Sequence, residues 1–141
     1  MSNMYAWAAG LIDGEGYFRI IKDPCYSARL SVKMCHKPTI TRLYEIFGVG
    51  NIKRAEVARP GHAQSWIWTC SSRTDVIEVL RLIRPYLFTK ADEADIMIEF
   101  MDSVVRLNSA IEEKERLRVQ LVNLKTRNRV RQDNSTEDNL Q

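Results

Sequence analysis

Alternating hydrophobic and polar residues near the start of the chain predict a β-hairpin. Along residues 27–35, polar side chains such as Arg29 and Lys33 share one face, and apolar side chains fall on the other. This period of two is typical of a strand with one buried face. Residues 17–23 form a second apolar run, which ends at Asp23-Pro24. The two runs are close enough in sequence to pair across a short turn.

A helix-like segment precedes this hairpin. It begins after Ser2 or Asn3, is apolar on nearly every side, and ends near Gly14 and Gly16. Such a helix is expected to be buried. Glycines directly after a helix are typical of its C-terminal end.

The same order of elements then recurs. Apolar residues follow a helical spacing over residues 38–47 and again over residues 73–83. Between them, residues 50–57 and 65–71 predict a second hairpin, in which Trp66 and Trp68 belong to the core face. The pattern therefore predicts an α+β fold of order αββαββα. Its sheet is antiparallel, its helices lie on one face, and extra helices follow at the C-terminus.

The C-terminal part has a different character. Helical spacing continues after Lys90 to about residue 130, in one or two helices. We expect a core domain over residues 1–103, a basic helical extension over 104–131, and a disordered polar tail over 132–141. The extension holds 8 basic and 3 acidic residues. Its basic side chains could contact DNA phosphates, form a solvated helix surface, or join an oligomer contact.

Composition adds few constraints. The formal net charge is +3 at pH 7, so any nucleic-acid surface in the first part depends on where charges lie rather than on their excess. No apolar run is long enough to span a membrane, and no signal peptide is evident. The three cysteines have no zinc-site or disulfide spacing. We expect a soluble intracellular protein with reduced, buried thiols.

Residues 8–16 carry the most informative motif, Ala-Ala-Gly-Leu-Ile-Asp-Gly-Glu-Gly. Gly10 and Gly14 are four residues apart and leave one helix face without side chains, so a second backbone could approach closely. Glu15 follows at the end of this face. The motif resembles the signature of the LAGLIDADG homing endonucleases, with Ala8 in place of leucine and Glu15 in place of aspartate. The resemblance covers most of residues 4–103.

The resemblance implies a homodimer, because the chain has a single motif. Two copies would meet through Ala6, Gly10, Asp13 and Gly14, with Asp13 supporting the helix interface. Glu15 would be the catalytic and metal-binding acid. The implied metal is Mg²⁺ or Mn²⁺, with Ca²⁺ as a non-catalytic substitute. Taken alone, Glu15 could also be a solvated acid at a helix end, and the glycines could serve tight packing within one chain.

Two further residues are catalytic candidates on the same resemblance. Lys90 ends a segment that in the family often places a basic residue near the scissile phosphate. A surface lysine at a helix start is an equal alternative. His36 follows the second strand, where a polar residue often joins the water network, and it could relay protons. An ordinary surface histidine is the alternative.

The resemblance also implies that the free sheet face binds double-stranded DNA in the major groove. The predicted DNA-binding residues occupy this face on four strands: Tyr17, Arg19, Ile21 and Asp23; Ser27, Arg29, Ser31 and Lys33; Asn51 and Lys53; and Ser65, Ile67 and Thr69. Arginine suits guanine and asparagine suits adenine in that groove. An ordinary solvated sheet face would show the same alternation.

Two functions follow from these observations. The first is a site-specific, metal-dependent DNA endonuclease that acts as a homodimer on a long, nearly palindromic target. The second is a non-catalytic DNA- or RNA-binding protein of the same fold, such as a maturase-like splicing factor or a repressor.

Overall fold

The structure is a computed structural model. It describes residues 3–22, 25–57, 59–105 and 111–139, with the side chains of 103–105 and 130–139 excepted. In chain order the elements are α1 (Met4–Glu15), β1 (Gly16–Ile21), β2 (Ser27–Met34), α2 (Lys37–Phe47), β3 (Asn51–Arg54), β4 (Trp66–Cys70), α3 (Arg73–Ile83), a 3₁₀ turn (Arg84–Tyr86), α4 (Ala91–Val105) and α5 (Ile111–Asn139).

The four strands form one antiparallel sheet in the order β1-β2-β4-β3. Both predicted hairpins are present, since β1 pairs with β2 and β3 pairs with β4. The central pairing of β2 with β4, in which Val32 lies opposite Trp68, joins them. The α+β fold class predicted from the sequence is therefore confirmed.

The core lies between one sheet face and the helices. Phe18, Leu30, Val32 and Trp68 are buried on that face, as strand alternation predicts. Trp66, which was assigned to the same face, is half-buried. Gly50 has a φ of +93°, and a Cβ there would meet the Trp68 indole at 2.5 Å. Only glycine fits both the backbone conformation and the space beside this tryptophan.

Two predictions about burial were wrong. Helix α1 buries only one face, through Ala8, Ala9 and Ile12, because the other core elements pack against it from one side. The cysteines are not all core residues: Cys25 and Cys35 are exposed, because both lie just outside strand β2. Cys70 is buried, and this burial raises the pKa of its thiol to about 12.

Helix α5 runs along the free edge of β1. Near its start, Tyr26 donates a hydrogen bond to Glu115 Oε2 at 2.7 Å. Further along, Lys125 Nζ lies 4.2 Å from the ring centroid of Tyr17. Because Tyr17 begins β1 and Tyr26 follows it, α5 is antiparallel to this strand. Leu117 and Leu121 are buried in the common core.

The boundaries between core, extension and tail stay predictions. The backbone of α5 is helical to Asn139, and side chains after Arg129 lie outside the described residues. Among the described helices, none is long and apolar enough to cross a membrane.

Candidate nucleic-acid interface and catalytic site

The sheet face opposite the helices carries the predicted DNA-binding residues in aligned rows. Strand register places Tyr17 opposite Ser31, Ser31 opposite Thr69, and Thr69 opposite Asn51. A second row contains Lys33, Ile67 and Lys53, and a third pairs Arg19 with Arg29. Ile21 and Ser27 are paired at the end of the hairpin. Asp23 lies outside the described residues.

This face is therefore a continuous polar and basic surface. Arg19, Arg29, Lys33 and Lys53 are exposed on it, while Ile21 and Ile67 are half-buried. No carboxylate of the described part of these four strands faces it, since their described residues include no aspartate or glutamate. The surface could accept a polyanion.

Glu15 lies at the edge of the same face. It is the last residue of α1, and β1 begins at the next residue. Gly16 is paired with Val32, so Glu15 adjoins Lys33 on the neighbouring strand. Its exposed carboxylate belongs to a shallow cleft of about 340 Å³, which Lys33, Met34, Cys35 and Ser65 also line.

Lys90 reaches the same end of α1 from a distant part of the chain. Its Nζ donates a hydrogen bond of 3.0 Å to the carbonyl oxygen of Asp13, two residues before Glu15. An ammonium group is favoured there, because the C-terminal end of a helix carries partial negative charge. The structure thus brings Lys90 to the helix end that carries Glu15, and both remain candidates for catalysis.

Asp13 secures this arrangement. Its two carboxylate oxygens accept hydrogen bonds from the backbone N–H groups of Phe88 and Lys90, each at 2.9 Å. The predicted interface residue therefore has its described partners within its own subunit. It joins the end of α1 to the turn that starts α4.

The overall fold was compared with known proteins. No protein-family model and no curated protein sequence matches the chain significantly. Solved structures do match. The homing endonuclease I-CvuI bound to the I-CreI target aligns with a TM-score of 0.72 and 17% identity, over 85% of this chain and 80% of that chain. The archaeal intron-encoded I-Vdi141I, complexed with DNA, aligns with a TM-score of 0.69 and 15% identity, over 84% and 82%. The chain has the LAGLIDADG homing endonuclease fold.

A third structure differs in length. The I-SmaMI LAGLIDADG homing endonuclease bound to cleaved DNA aligns with a TM-score of 0.64 and 20% identity. The alignment covers 83% of this chain but only 42% of that chain. One copy of the present chain therefore spans less than half of I-SmaMI, whereas it spans most of I-CvuI and I-Vdi141I.

The glycine face of α1 in this LAGLIDADG fold is open. A Cβ added at Gly10 or at Gly14 would meet no atom within 4 Å, and both residues are exposed. Packing among the described residues therefore does not require glycine at either position. A glycine inside a helix lowers its stability by about 0.5–1 kcal/mol relative to alanine. This loss of helix stability is explained if the backbone of another helix packs against the glycine face.

His36 has a local partner. It precedes α2, and its Nδ1 lies 2.7 Å from Thr39 Oγ1 in the first turn of that helix. It does not line the Glu15 cleft, which its neighbour Cys35 does line. Cys35 lies two residues after Lys33, so the strand alternation puts it on the face of Arg29 and Lys33 and is the sequence signal for its position beside Glu15.

Three basic residues of α5, Arg116, Arg118 and Lys125, have acidic partners. Arg118 donates to Glu115 through Nε at 2.8 Å, and Arg116 lies 3.4 Å from Glu99. Lys125 Nζ lies 2.9 Å from Glu93 Oε1 without hydrogen-bond geometry. The positive charge of this helix is therefore partly neutralised within the subunit.

A divalent metal fits the site only in part. Among the described residues, no group of three histidine, cysteine or carboxylate side chains could hold an ion. Glu15 offers an exposed carboxylate at the border of the polar face. Mg²⁺ commonly binds one or two carboxylates together with phosphate oxygens of a substrate. The donor chemistry therefore suits Mg²⁺ if a second carboxylate and a phosphate complete the set.

Proposed function

We propose that this protein is a site-specific, metal-dependent double-strand DNA endonuclease that acts as a homodimer. One observation carries the proposal: the Lys90 ammonium binds the carbonyl oxygen of Asp13 at the end of α1 that carries Glu15, at the border of a basic sheet face. A protein that only bound DNA would need the face but not an acid and a lysine at this helix end. Such nucleases usually belong to an intron or another mobile genetic element.

The sheet face would bind the major groove of DNA. A strand pair enters this groove, where each base pair presents a distinct set of donors and acceptors. Arg29 suits guanine and Asn51 suits adenine, while Ile67 offers an apolar contact to a thymine methyl group. Two copies would double the contact length, so the target would be long and nearly palindromic.

Dimerisation would complete the active site. The open glycine face of α1 would pack against the same face of a second copy, which brings two Glu15 carboxylates together. The alignment with I-SmaMI supports this, because one copy of the present chain covers only 42% of the I-SmaMI chain. A two-fold pair of short chains would then correspond to one long chain.

The two Glu15 carboxylates would hold the divalent ion with the scissile phosphate. The ion, when bound, would activate a water molecule and stabilise the leaving oxygen. Lys90 would stabilise the negative charge that develops on the phosphate. His36, which does not line the Glu15 cleft, stays a candidate proton relay. I-CvuI structures with DNA were determined in the presence of Mg²⁺, in which the I-CreI target was not cleaved, and in the presence of Ca²⁺; both agree with an ion of this class.

Glu15→Gln tests the catalytic assignment. We expect Mg²⁺-dependent cleavage, measured on a target selected from a randomised DNA library, to fall at least about a hundredfold, since even supporting groups of metal sites are worth about 10- to 100-fold. DNA affinity in Ca²⁺ should be retained. Glu45→Gln, which removes an exposed carboxylate from α2, should leave both properties unchanged.

A non-catalytic DNA- or RNA-binding protein is the second candidate. The lack of a three-ligand metal cluster among the described residues favours it. Tight, sequence-specific binding without nicking in either Mg²⁺ or Mn²⁺ would contradict the endonuclease and support this alternative. A preference for structured RNA over duplex DNA would then point to a splicing role.

A further inference from the structure

We propose that the groove between β1 and α5 binds the sugar-phosphate backbone of one DNA strand. The inference rests on the proposed DNA binding and adds a site outside the sheet face. The groove has a volume of about 410 Å³. Its polar lining consists of Tyr17, Arg19, Lys22, Arg118 and Lys125, and strand β1 forms one wall and helix α5 the other.

The groove has the shape of an open channel. From Tyr17 to Lys22 the strand wall extends about 17 Å at 3.3 Å per residue. From Arg118 to Lys125 the helix wall extends about 10 Å at 1.5 Å per residue. Phosphates of one strand are spaced about 3.4 Å apart along the DNA axis, so at least two could lie in the channel.

The charges of the groove favour an anion. Arg19 and Lys22 have no ion pair or hydrogen bond to another described side chain, and none of the described lining residues is acidic. Arg118 is neutralised by Glu115, because hydrogen bonds from Arg118 and Tyr26 lower the pKa of that carboxyl to about 2.

Lys125 is likewise paired, with Glu93, a carboxylate that is only 6% exposed. The four basic residues of the described lining and their two acidic partners, Glu115 and Glu93, therefore leave an excess of two positive charges at the groove.

The position of the groove favours a nucleic-acid backbone over a small anion. Arg19 belongs to both the groove and the DNA-binding sheet face, so the two surfaces are continuous. At the other end, Tyr17 lies two residues after Glu15. A strand lying in the groove would thus approach the catalytic acid. A free phosphate would fill only a small part of this length.

Val122→Glu is the direct test, because it adds a carboxylate inside the groove without changing a buried residue. Val122 lines the groove and is 49% exposed. We expect the affinity for a random-sequence duplex, measured by fluorescence anisotropy in Ca²⁺, to fall about five- to tenfold through repulsion of the phosphates. Gln120→Glu adds the same charge on nearly the opposite side of α5 and should have little effect.

Two more groove variants test the effect of shape and the effect of charge in turn. Val122→Gln fills the groove without a charge and should bind nearly as well as the native protein. Lys22→Gln should reduce the slope of log affinity against log salt by about one phosphate contact, close to 0.9. Lys33→Gln, on the sheet face, serves as a positive control for DNA binding.

The outcomes distinguish the two proposals. If Lys33→Gln weakens binding but Val122→Glu and Lys22→Gln do not, the groove proposal is wrong and sheet binding stands. Equal losses for Val122→Glu and Gln120→Glu would also overturn it, since a general charge effect would explain both. If the folded native protein binds no duplex, both proposals fail.

Discussion

Asp13 is hydrogen-bonded to Lys90, which lies 77 positions later in the sequence. Both oxygens of its carboxylate accept backbone N–H groups, from Phe88 and Lys90, and its carbonyl oxygen accepts the Lys90 ammonium. Hydrogen bonds to a charged group contribute about 1.5–3 kcal/mol, more than those between neutral groups. One side chain therefore determines where Lys90 lies relative to Glu15.

Asp13→Asn should loosen this connection. The amide keeps one acceptor oxygen and loses the charge, so we expect the free energy of unfolding in urea to fall by about 1–3 kcal/mol. DNA cleavage should fall more than DNA binding, because the position of Lys90 is disturbed. Glu45→Gln, at an exposed site on α2, should change stability by less than about 0.5 kcal/mol. An unchanged stability and cleavage rate in Asp13→Asn would contradict this role.

Helix α5 is the element whose role the structure changes most. Its buried leucines belong to the same hydrophobic core as β1 and α4, and its next turns form one wall of the basic groove. It lies beside the edge strand β1, from which the basic groove separates it. The basic extension predicted from the sequence is thus partly a core helix.

Leu121→Ala measures how firmly α5 is attached. Leu121 is 2% exposed, so its truncation should lower the free energy of unfolding by about 2–5 kcal/mol. Val119→Ala, at a site that is 40% exposed on the same helix, should cost far less. Equal small effects in urea denaturation would show that α5 does not contribute to the core.

The whole molecule has one surface that its own packing leaves unexplained. Gly10 and Gly14 of α1 face open space, and Phe88, near the C-terminal end of that helix, is 91% exposed. Large apolar side chains at a surface commonly mark a protein contact when they lie together with other interface features. The proposed dimer would cover the glycines.

Gly10→Ala tests the dimer directly. The added methyl group should strengthen α1 in an isolated subunit by about 0.5–1 kcal/mol. It should also separate the paired helices and raise the dimer dissociation constant, measured by sedimentation equilibrium, at least about tenfold, or 1.4 kcal/mol. Thr74→Ala, an exposed position on α3, should not affect association. A native protein that stays monomeric with and without DNA would contradict the dimer.

Local sequence patterns were enough to predict the helices and strands and the two faces of the sheet. Alternation around Arg29 and Lys33 predicted a strand and its solvent side, and the spacing of glycines before Glu15 predicted the motif helix, because these patterns depend only on residues close in sequence. They did not predict that α1 would bury one face, nor that Cys25 and Cys35 would be exposed, because burial depends on which distant elements pack nearby.

The way these elements combine follows from contacts between distant segments. The tertiary structure pairs β2 with β4, brings Lys90 to Asp13, and places α5 beside β1. Each of these contacts joins segments far apart in the chain. Their formation depends on the shape, charge and hydrogen-bonding groups that the folded parts present to one another, and local periodicity contains no information about those.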